Sequence, residues 1–184
     1  MNELSRLFTD SDLLYLVQVL IPQASSPSRM VKVLREDQDI LEGMLANPAL
    51  VEHLMSSEEE IVKISPPLLF AVLLYAVRND LEKRAFTIER SSHDTVAVFD
   101  RDRLATFLEK AEIRYYLVDM LSSFVRVNSI TIPVRVRKGV WHKYRISDFD
   151  IESLLSYSEM IEPEHRFPAL KRIADLCLFL IGVF

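Results

Sequence analysis

The chain has 184 residues, of which 49% are hydrophobic and 27% are charged, and its formal net charge is −5 at pH 7. This composition is enough for a hydrophobic core and a polar surface, and the acidic balance argues against a uniformly basic nucleic-acid-binding protein. The longest apolar runs, 68–77 and 176–184, are shorter than the roughly 20 residues of a membrane-spanning helix, so we expect a cytoplasmic protein with no membrane partner.

The first segment, residues 1–62, is predicted to be helical and to pack on the core. Asp10 and Asp12 precede an apolar stretch, as at a helix start, and Pro22 ends that helix. Further helical stretches follow, the last beginning at Asn47-Pro48. Residues 1–64 hold 5 basic and 11 acidic side chains, so this part of the chain is strongly acidic.

The second segment begins with a clear helix signal. Ser65 is followed by two prolines, which are tolerated in the first turn of a helix, and the helix 68–83 follows. Its first ten positions are apolar, which predicts a central helix buried on all sides. The β-rich runs 86–90 and 95–99 are separated by four polar residues and predict a hairpin.

Two helices, 103–110 and 113–124, and a second hairpin, 130–146, complete this segment. The order of helix, strand pair, two helices and hairpin resembles the winged-helix arrangement. That resemblance implies a winged-helix-like module over 65–146, in which the final hairpin is the wing and helix 113–124 is the reading helix. The predicted fold class is therefore mainly α with a small antiparallel β component, an α+β fold that combines a helical bundle with this module.

The third segment, 147–184, is predicted to contain the C-terminal helices. Ser147 and Asp150 form a capping-box-like start for a helix over 151–157, and a last helix runs from Ala169 to the end. Cys177, the single cysteine, lies in an apolar run, and we expect it to be buried. Because the chain ends in an apolar run without a cap, we expect either a covered end or a chain cut from a longer one, and we favour the second.

The hairpin 130–146 is the strongest functional signal. Residues 124–146 hold 6 basic and no acidic side chains. A two-residue Lys138-Gly139 turn would mix polar and apolar positions, whereas a three-residue Arg137-Lys138-Gly139 loop keeps one face apolar and places Gly139 in the left-handed region. The apolar pairs predicted by that loop are Val136–Val140, Ile132–Tyr144 and Ile130–Ile146.

The other face of the hairpin combines cations with the single tryptophan. This combination suits base stacking with phosphate contact, it equally suits an acidic protein partner, and cations on an edge strand can also act only as solubilising groups. Helix 113–124 offers Arg114, but Asp119 would repel phosphate, so we expect binding directed mainly at the nucleic-acid backbone. The predicted nucleic-acid or anionic-partner residues are Arg114, Arg126, Arg135, Arg137, Lys138, Trp141, Lys143 and Arg145.

Two other functions stay open. The apolar C-terminal helix is a candidate surface for a homo-oligomer or another partner. A metal-dependent enzyme would use the carboxylate pairs Asp100/Asp102 and Asp148/Asp150, although helix capping also accounts for them. The predicted oligomer or partner residues are Leu178, Phe179, Ile181 and Phe184.

Most catalytic signatures are missing from the sequence. The 3 glycines cannot build a phosphate-binding loop, the 4 histidines lack metal-ligand spacing, and no serine lies in a glycine-flanked nucleophile motif. We therefore predict no catalytic residue, no metal ligand and no cofactor. Whether the acidic first segment regulates the basic hairpin is left open.

Overall fold

The computed structural model describes the backbone of residues 3–83, 87–90, 95–98 and 101–183, and within these ranges the chain is mainly helical, as predicted. The helices are α1 (Glu3–Leu7), α2 (Asp10–Leu20), α3 (Pro27–Glu36), α4 (Gln38–Leu45), α5 (Pro48–Met55), α6 (Glu58–Val62), α7 (Pro66–Lys83), α8 (Arg101–Glu109), α9 (Ala111–Ser123), α10 (Ile151–Met160) and α11 (Phe167–Val183). The strands are β1 (Thr87–Arg90), β2 (Thr95–Val98), β3 (Ser129–Arg137) and β4 (Val140–Ser147). They form two separate antiparallel pairs, β1 with β2 and β3 with β4.

The chain divides into two compact units, which we call the N-terminal unit (Met1–Ser122) and the C-terminal unit (Ser123–Phe184). Their boundary lies at the end of α9, whereas the sequence places segment boundaries near 62 and 146. The reason is that α7 shares one hydrophobic core with the helices before it, while Ile146 of the hairpin packs with residues of α10 and α11.

Helix α7 is the centre of the N-terminal core, but it is not buried on all sides as predicted. Its fully buried residues lie on one side, and Val77 is 49% exposed. A helix in a unit of this size is covered mainly on the face that its neighbours contact, so an apolar residue can still lie at the surface. The fully buried core residues of α2, α4, α5 and α7 are Leu13, Leu16, Val17, Leu41, Leu45, Leu50, Leu54, Leu68, Ala71 and Val72.

A buried carboxylate joins two helix starts in the N-terminal unit. Thr9 caps α2 by accepting from the backbone N–H of Asp12, and the carboxylate of Asp12 accepts from the Thr9 backbone N–H at 2.8 Å. The same carboxylate accepts from the backbone N–H and the hydroxyl of Ser65, at 2.8 and 2.7 Å. Asp12 is only 2% exposed, so these donors replace the water that the charge loses on folding.

The C-terminal unit has a smaller core, in which buried Ile146, Leu154 and Leu176 pack together. Helix α10 begins at Ile151, as predicted, and its N-cap is Asp150, whose carboxylate accepts from the backbone N–H of Glu152. The capping role predicted for Ser147 is wrong, because strand β4 extends through that residue. Within the described residues, we find no helix with the length and apolarity needed to cross a bilayer.

Candidate nucleic-acid interface

The backbone register of the second hairpin agrees with the prediction over most of its length. Ile130 pairs with Ile146 and Ile132 with Tyr144, and these pairs alternate with a second set. The pairs of that second set are Thr131–Arg145, Pro133–Lys143 and Arg135–Trp141. Pairs of apolar residues therefore alternate along the strands with pairs that contain a cation, as the sequence predicts.

The tip of the hairpin differs from the prediction. Arg137, and not Val136, pairs with Val140, so the turn contains only Lys138 and Gly139, and the register shifts between Arg135 and Arg137. Gly139 has φ 84°, as expected for the left-handed position. The common two-residue hairpin turns need a positive φ at their first position, and Lys138 does not have one. The residue of β3 between Arg135 and Arg137 is therefore accommodated as a bulge.

Five of the predicted binding cations on and beside the hairpin have described side chains, and we call them the basic surface. They are Arg126, Arg137, Lys138, Lys143 and Arg145. All five are exposed, and none forms an ion pair with a described acidic residue. Arg145 donates from Nε to the Ser129 hydroxyl at 2.9 Å, which fixes the side chain without neutralising its charge. The side chains of Arg135 and Trp141 lie outside the described residues, so their place rests on backbone register alone.

The base of the hairpin is held by one arginine. Arg172 donates to the Asp148 backbone oxygen at 3.0 Å and to its carboxylate at 3.1 Å, and its guanidinium carbon lies 4.4 Å from the ring centroid of Phe124. Asp148 also accepts from the Asn128 backbone N–H at 2.8 Å, across the foot of the two strands. Arg172 is thereby used to fix the base of the hairpin, whereas Arg137, Lys138 and Lys143 form no ion pair with a described acidic residue.

The prediction that Arg114 is an exposed binding residue is wrong. Arg114 is 3% exposed and donates to the backbone oxygens of Leu108 and Glu109 at 2.7 and 2.8 Å. Its Nη2 also forms an ion pair with Glu42 at 2.6 Å, and its guanidinium carbon lies 4.9 Å from the Tyr75 ring centroid. The helical spacing was compatible with an exposed residue, but the carbonyls at the end of α8 and the carboxylate of α4 draw this side chain inward.

The residues of the predicted partner surface on α11 differ in their exposure. Leu178 is 47% and Ile181 is 81% exposed, whereas Phe179 is half-buried with its ring centroid 4.7 Å from that of Phe124. Phe184 lies outside the described residues. Cys177 is exposed, so its predicted burial is wrong. The apolar run around it is longer than the narrow face of α11 that the core covers, which leaves part of the run at the surface.

The carboxylate pairs have structural partners where they are described. Asp148 is bound to Arg172, and a hydrogen bond from Ser153 holds the pKa of Asp150 below its ordinary value. Asp102 lies in the first turn of α8, and Asp100 lies outside the described residues. Glu162, Glu164 and His165 have ligand atoms within 4.8 Å of one another, a group that the sequence analysis missed although its close spacing was visible. All three are exposed, and nothing further in the described structure points to an ion there.

Comparisons of the chain with protein-family models, with curated proteins and with solved structures gave no match. Function therefore has to be inferred from the chemistry of the surfaces themselves. The most distinctive of these is the basic surface, because its cations are exposed and form no ion pair with the acidic residues in the described ranges, in a chain whose formal net charge is −5.

Proposed function

We propose that the chain is a non-enzymatic binding module that contacts the phosphodiester backbone of nucleic acid through the basic surface. The observation that carries this proposal is a set of five exposed cations on and beside one hairpin, none of which pairs with an acidic residue that the structure describes. Most charged residues in a soluble protein occur with both signs interspersed, so a segment of one sign suggests a partner of the opposite sign. Phosphate contact needs accessible guanidinium and ammonium groups, which this surface offers.

The register of the hairpin favours a nucleic-acid partner over the alternative that the cations only keep an edge strand soluble. Trp141 pairs with Arg135 in the set that contains Lys143 and Arg145. An aromatic residue among cations is the combination by which single-stranded nucleic acid is bound through stacking and phosphate contact. In this proposal Arg114 has no part, and the reading of bases by α9 is minor.

The winged-helix-like arrangement belongs to the same proposal. The observed order α7, β1–β2, α8, α9, β3–β4 is the element order on which that resemblance rests. In it the hairpin β3–β4 takes the role of the wing. Binding that depends on a wing and not on a reading helix would vary little with base sequence.

The test is a mobility-shift titration with a labelled 30-nucleotide single strand and the corresponding duplex. We expect binding at 50 mM salt that weakens by roughly two orders of magnitude at 200 mM, because about four neutralised phosphates give a log–log slope near −4. The variant Arg137→Glu with Lys143→Glu should abolish the shift.

A matched control separates the basic surface from total charge. Arg29→Glu with Lys32→Glu changes two exposed cations of α3 and lowers the net charge by the same amount. This control should retain binding within about twofold. The proposal fails if the unmodified chain gives no shift at 50 mM salt, or if both double variants lose binding equally.

A second candidate function is self-association through α11, and one observation favours it. Exposed apolar or small residues follow one line of the helix in alternating steps of three and four, which is the spacing that packs two like helices together. The residues of this line are Phe167, Leu170, Ala174, Cys177 and Ile181. Light scattering should show a dimer that becomes a monomer on Ile181→Asp, while Glu159→Lys, on the exposed part of α10, should leave it unchanged. A monomer at all concentrations would contradict this second function.

A further inference from the structure

One cation of the basic surface differs from the other four because a neighbouring side chain holds it. Arg145 donates from Nε to the hydroxyl oxygen of Ser129 at 2.9 Å. The other four cations form no side-chain hydrogen bond with the residues that the structure describes. A long exposed side chain loses conformational entropy when a ligand orders it, and a side chain that is already oriented loses less.

The register of the hairpin explains this contact. Arg145 pairs with Thr131, and Ser129 lies two residues before Thr131 on β3. Residues two apart on a strand face the same side, and a long side chain can reach its diagonal neighbour on the paired strand. Ser129 carries no charge and is therefore absent from the binding residues predicted from the sequence.

The contact leaves free the donors that suit a phosphate. A guanidinium group has N–H donors on three nitrogens, and Ser129 engages only the one on Nε. The terminal nitrogens of Arg145 have no partner among the described residues. Together these two nitrogens form the fork that contacts two oxygens of one phosphate, which an ammonium group cannot do.

Two carboxylates share a groove with Arg145 without pairing with it. Asp150 and Glu152 line this groove together with Arg145, but neither forms an ion pair with it in the described ranges. The Asp150 carboxylate accepts instead from the backbone N–H of Glu152 and from the Ser153 hydroxyl, as the N-cap of α10. The fork of Arg145 is therefore available to an anion from outside the chain.

We infer that Arg145, oriented by Ser129, forms a bidentate site for one phosphodiester group of the bound strand. This inference rests on the proposed function and assigns separate roles within the basic surface. Arg145 fixes the position of one phosphate, and the other cations supply charge. Ser129 is a positioning residue, because it acts through the guanidinium group of Arg145.

The first test exchanges arginine for lysine, which keeps the charge and removes the fork. In the mobility-shift titration with the 30-nucleotide strand at 50 mM salt, Arg145→Lys should weaken binding about tenfold. Its salt slope should stay at about −4, because the number of cations is unchanged. Arg137→Lys is the matched control at the hairpin tip and should bind within about twofold of the unmodified chain.

The second test removes the hydroxyl that orients Arg145. Ser129→Ala should weaken binding about fivefold at an unchanged slope and Tm, because the residue is exposed and uncharged. Thr131→Ala, which removes another exposed hydroxyl from β3, should bind within about twofold. In the Arg145→Lys background, Ser129→Ala should have no further effect, since the lost contact acts only through the guanidinium group.

A third measurement does not depend on nucleic acid. Dimethyl phosphate, the smallest phosphodiester, should move the NMR signal of the Arg145 Nε–H saturably, and Arg145→Lys identifies that signal. Trimethyl phosphate has nearly the same shape without the charge and should leave the signal in place. The corresponding signals of Arg126 and Arg137 should move less at each concentration, and Ser129→Ala should reduce the response of Arg145.

The outcomes separate this inference from the proposed function. If the unmodified chain binds the strand and Arg145→Lys or Ser129→Ala binds equally well, the inference is wrong and the proposed function stands. Equal movement of all three arginine signals would show only general attraction of the anion and would also overturn the inference. A saturable response of Arg145 to dimethyl phosphate, without any shift of the strand, would support the phosphate site and contradict the proposed function.

Discussion

Arginines of the two units are used in opposite ways. In the N-terminal unit, Arg114 is buried and bound to Glu42 and to two backbone oxygens, whereas Arg137 at the hairpin tip is exposed and has no described acidic partner. The formal charges follow the same division, because residues 1–122 hold 13 basic and 20 acidic side chains and residues 123–184 hold 9 and 7. The number of cations in a segment is therefore less informative than whether the fold already neutralises them.

The strongest test of this comparison replaces one arginine from each class with methionine. Arg114→Met removes the side-chain donor to two backbone oxygens and one of the two donors to Glu42, and we expect it to lower the free energy of unfolding by about 3 kcal/mol. Arg137→Met removes an exposed charge and should change it by less than about 0.5 kcal/mol. Urea unfolding measures both values. Equal losses would contradict the division between structural and free arginines.

The same comparison can be made with two carboxylates of α2. Asp12→Asn places an amide group among donors from Thr9 and Ser65, and we expect a loss of about 2 kcal/mol in urea unfolding. The control Asp10→Asn weakens a surface ion pair with Arg35, since Asp10 is 83% exposed, and should cost less than about 1 kcal/mol. If the control costs as much as Asp12→Asn, the buried hydrogen bonds are not what stabilises the junction between α2 and α7.

Two glycines provide a comparison of backbone requirements. Gly139→Ala forces a side chain into a residue with φ 84° and should destabilise the hairpin by about 1 kcal/mol. Gly43→Ala lies inside α4, where an added methyl group meets no atom within 4 Å, and should stabilise the N-terminal unit by about 0.5–1 kcal/mol. Thermal unfolding and amide exchange at Arg137–Val140 measure the two effects. A neutral Gly139→Ala would show that the turn tolerates other conformations.

Local patterns predicted the helices and strands well, because capping residues, prolines and alternation act over a few residues. Ser65 with two prolines marks the start of α7, and Gly139 marks the turn of the hairpin. The side-chain environments depend on partners distant in sequence, and there the prediction failed. Arg114 is buried because Glu42 lies beside it, 72 residues away in the chain, and nothing in the spacing within α9 indicates that contact.

The smallest expected effect concerns Glu60, which is intermediate between the buried and the free charges. It accepts from the Tyr15 hydroxyl at 2.9 Å and from Lys63 at 2.5 Å, and it lies 3.2 Å from His53. The hydrogen bonds from Lys63 and Tyr15 favour the ionised carboxylate and hold the pKa of Glu60 below its ordinary value of 4.5. Its contribution to stability is therefore complete above pH 4.5 and is lost as the pH falls through the lower pKa of the folded state.

Glu60→Gln tests this contribution through the Tm measured between pH 7 and pH 3. The variant should have a slightly lower Tm than the unmodified chain at pH 7, and the difference should shrink below pH 4.5. Glu58→Gln, in the first turn of the same helix but without a described partner, is the matched control and should show no such convergence. If the Tm difference for Glu60→Gln is the same at pH 3 as at pH 7, the contacts of its carboxylate do not stabilise the fold. The ion pairs of Glu60 would then contribute as little to stability as an exposed, unpaired charge does. Neutralisation of a charge by its neighbours would stabilise the fold only where the side chain is buried, as it is for Arg114.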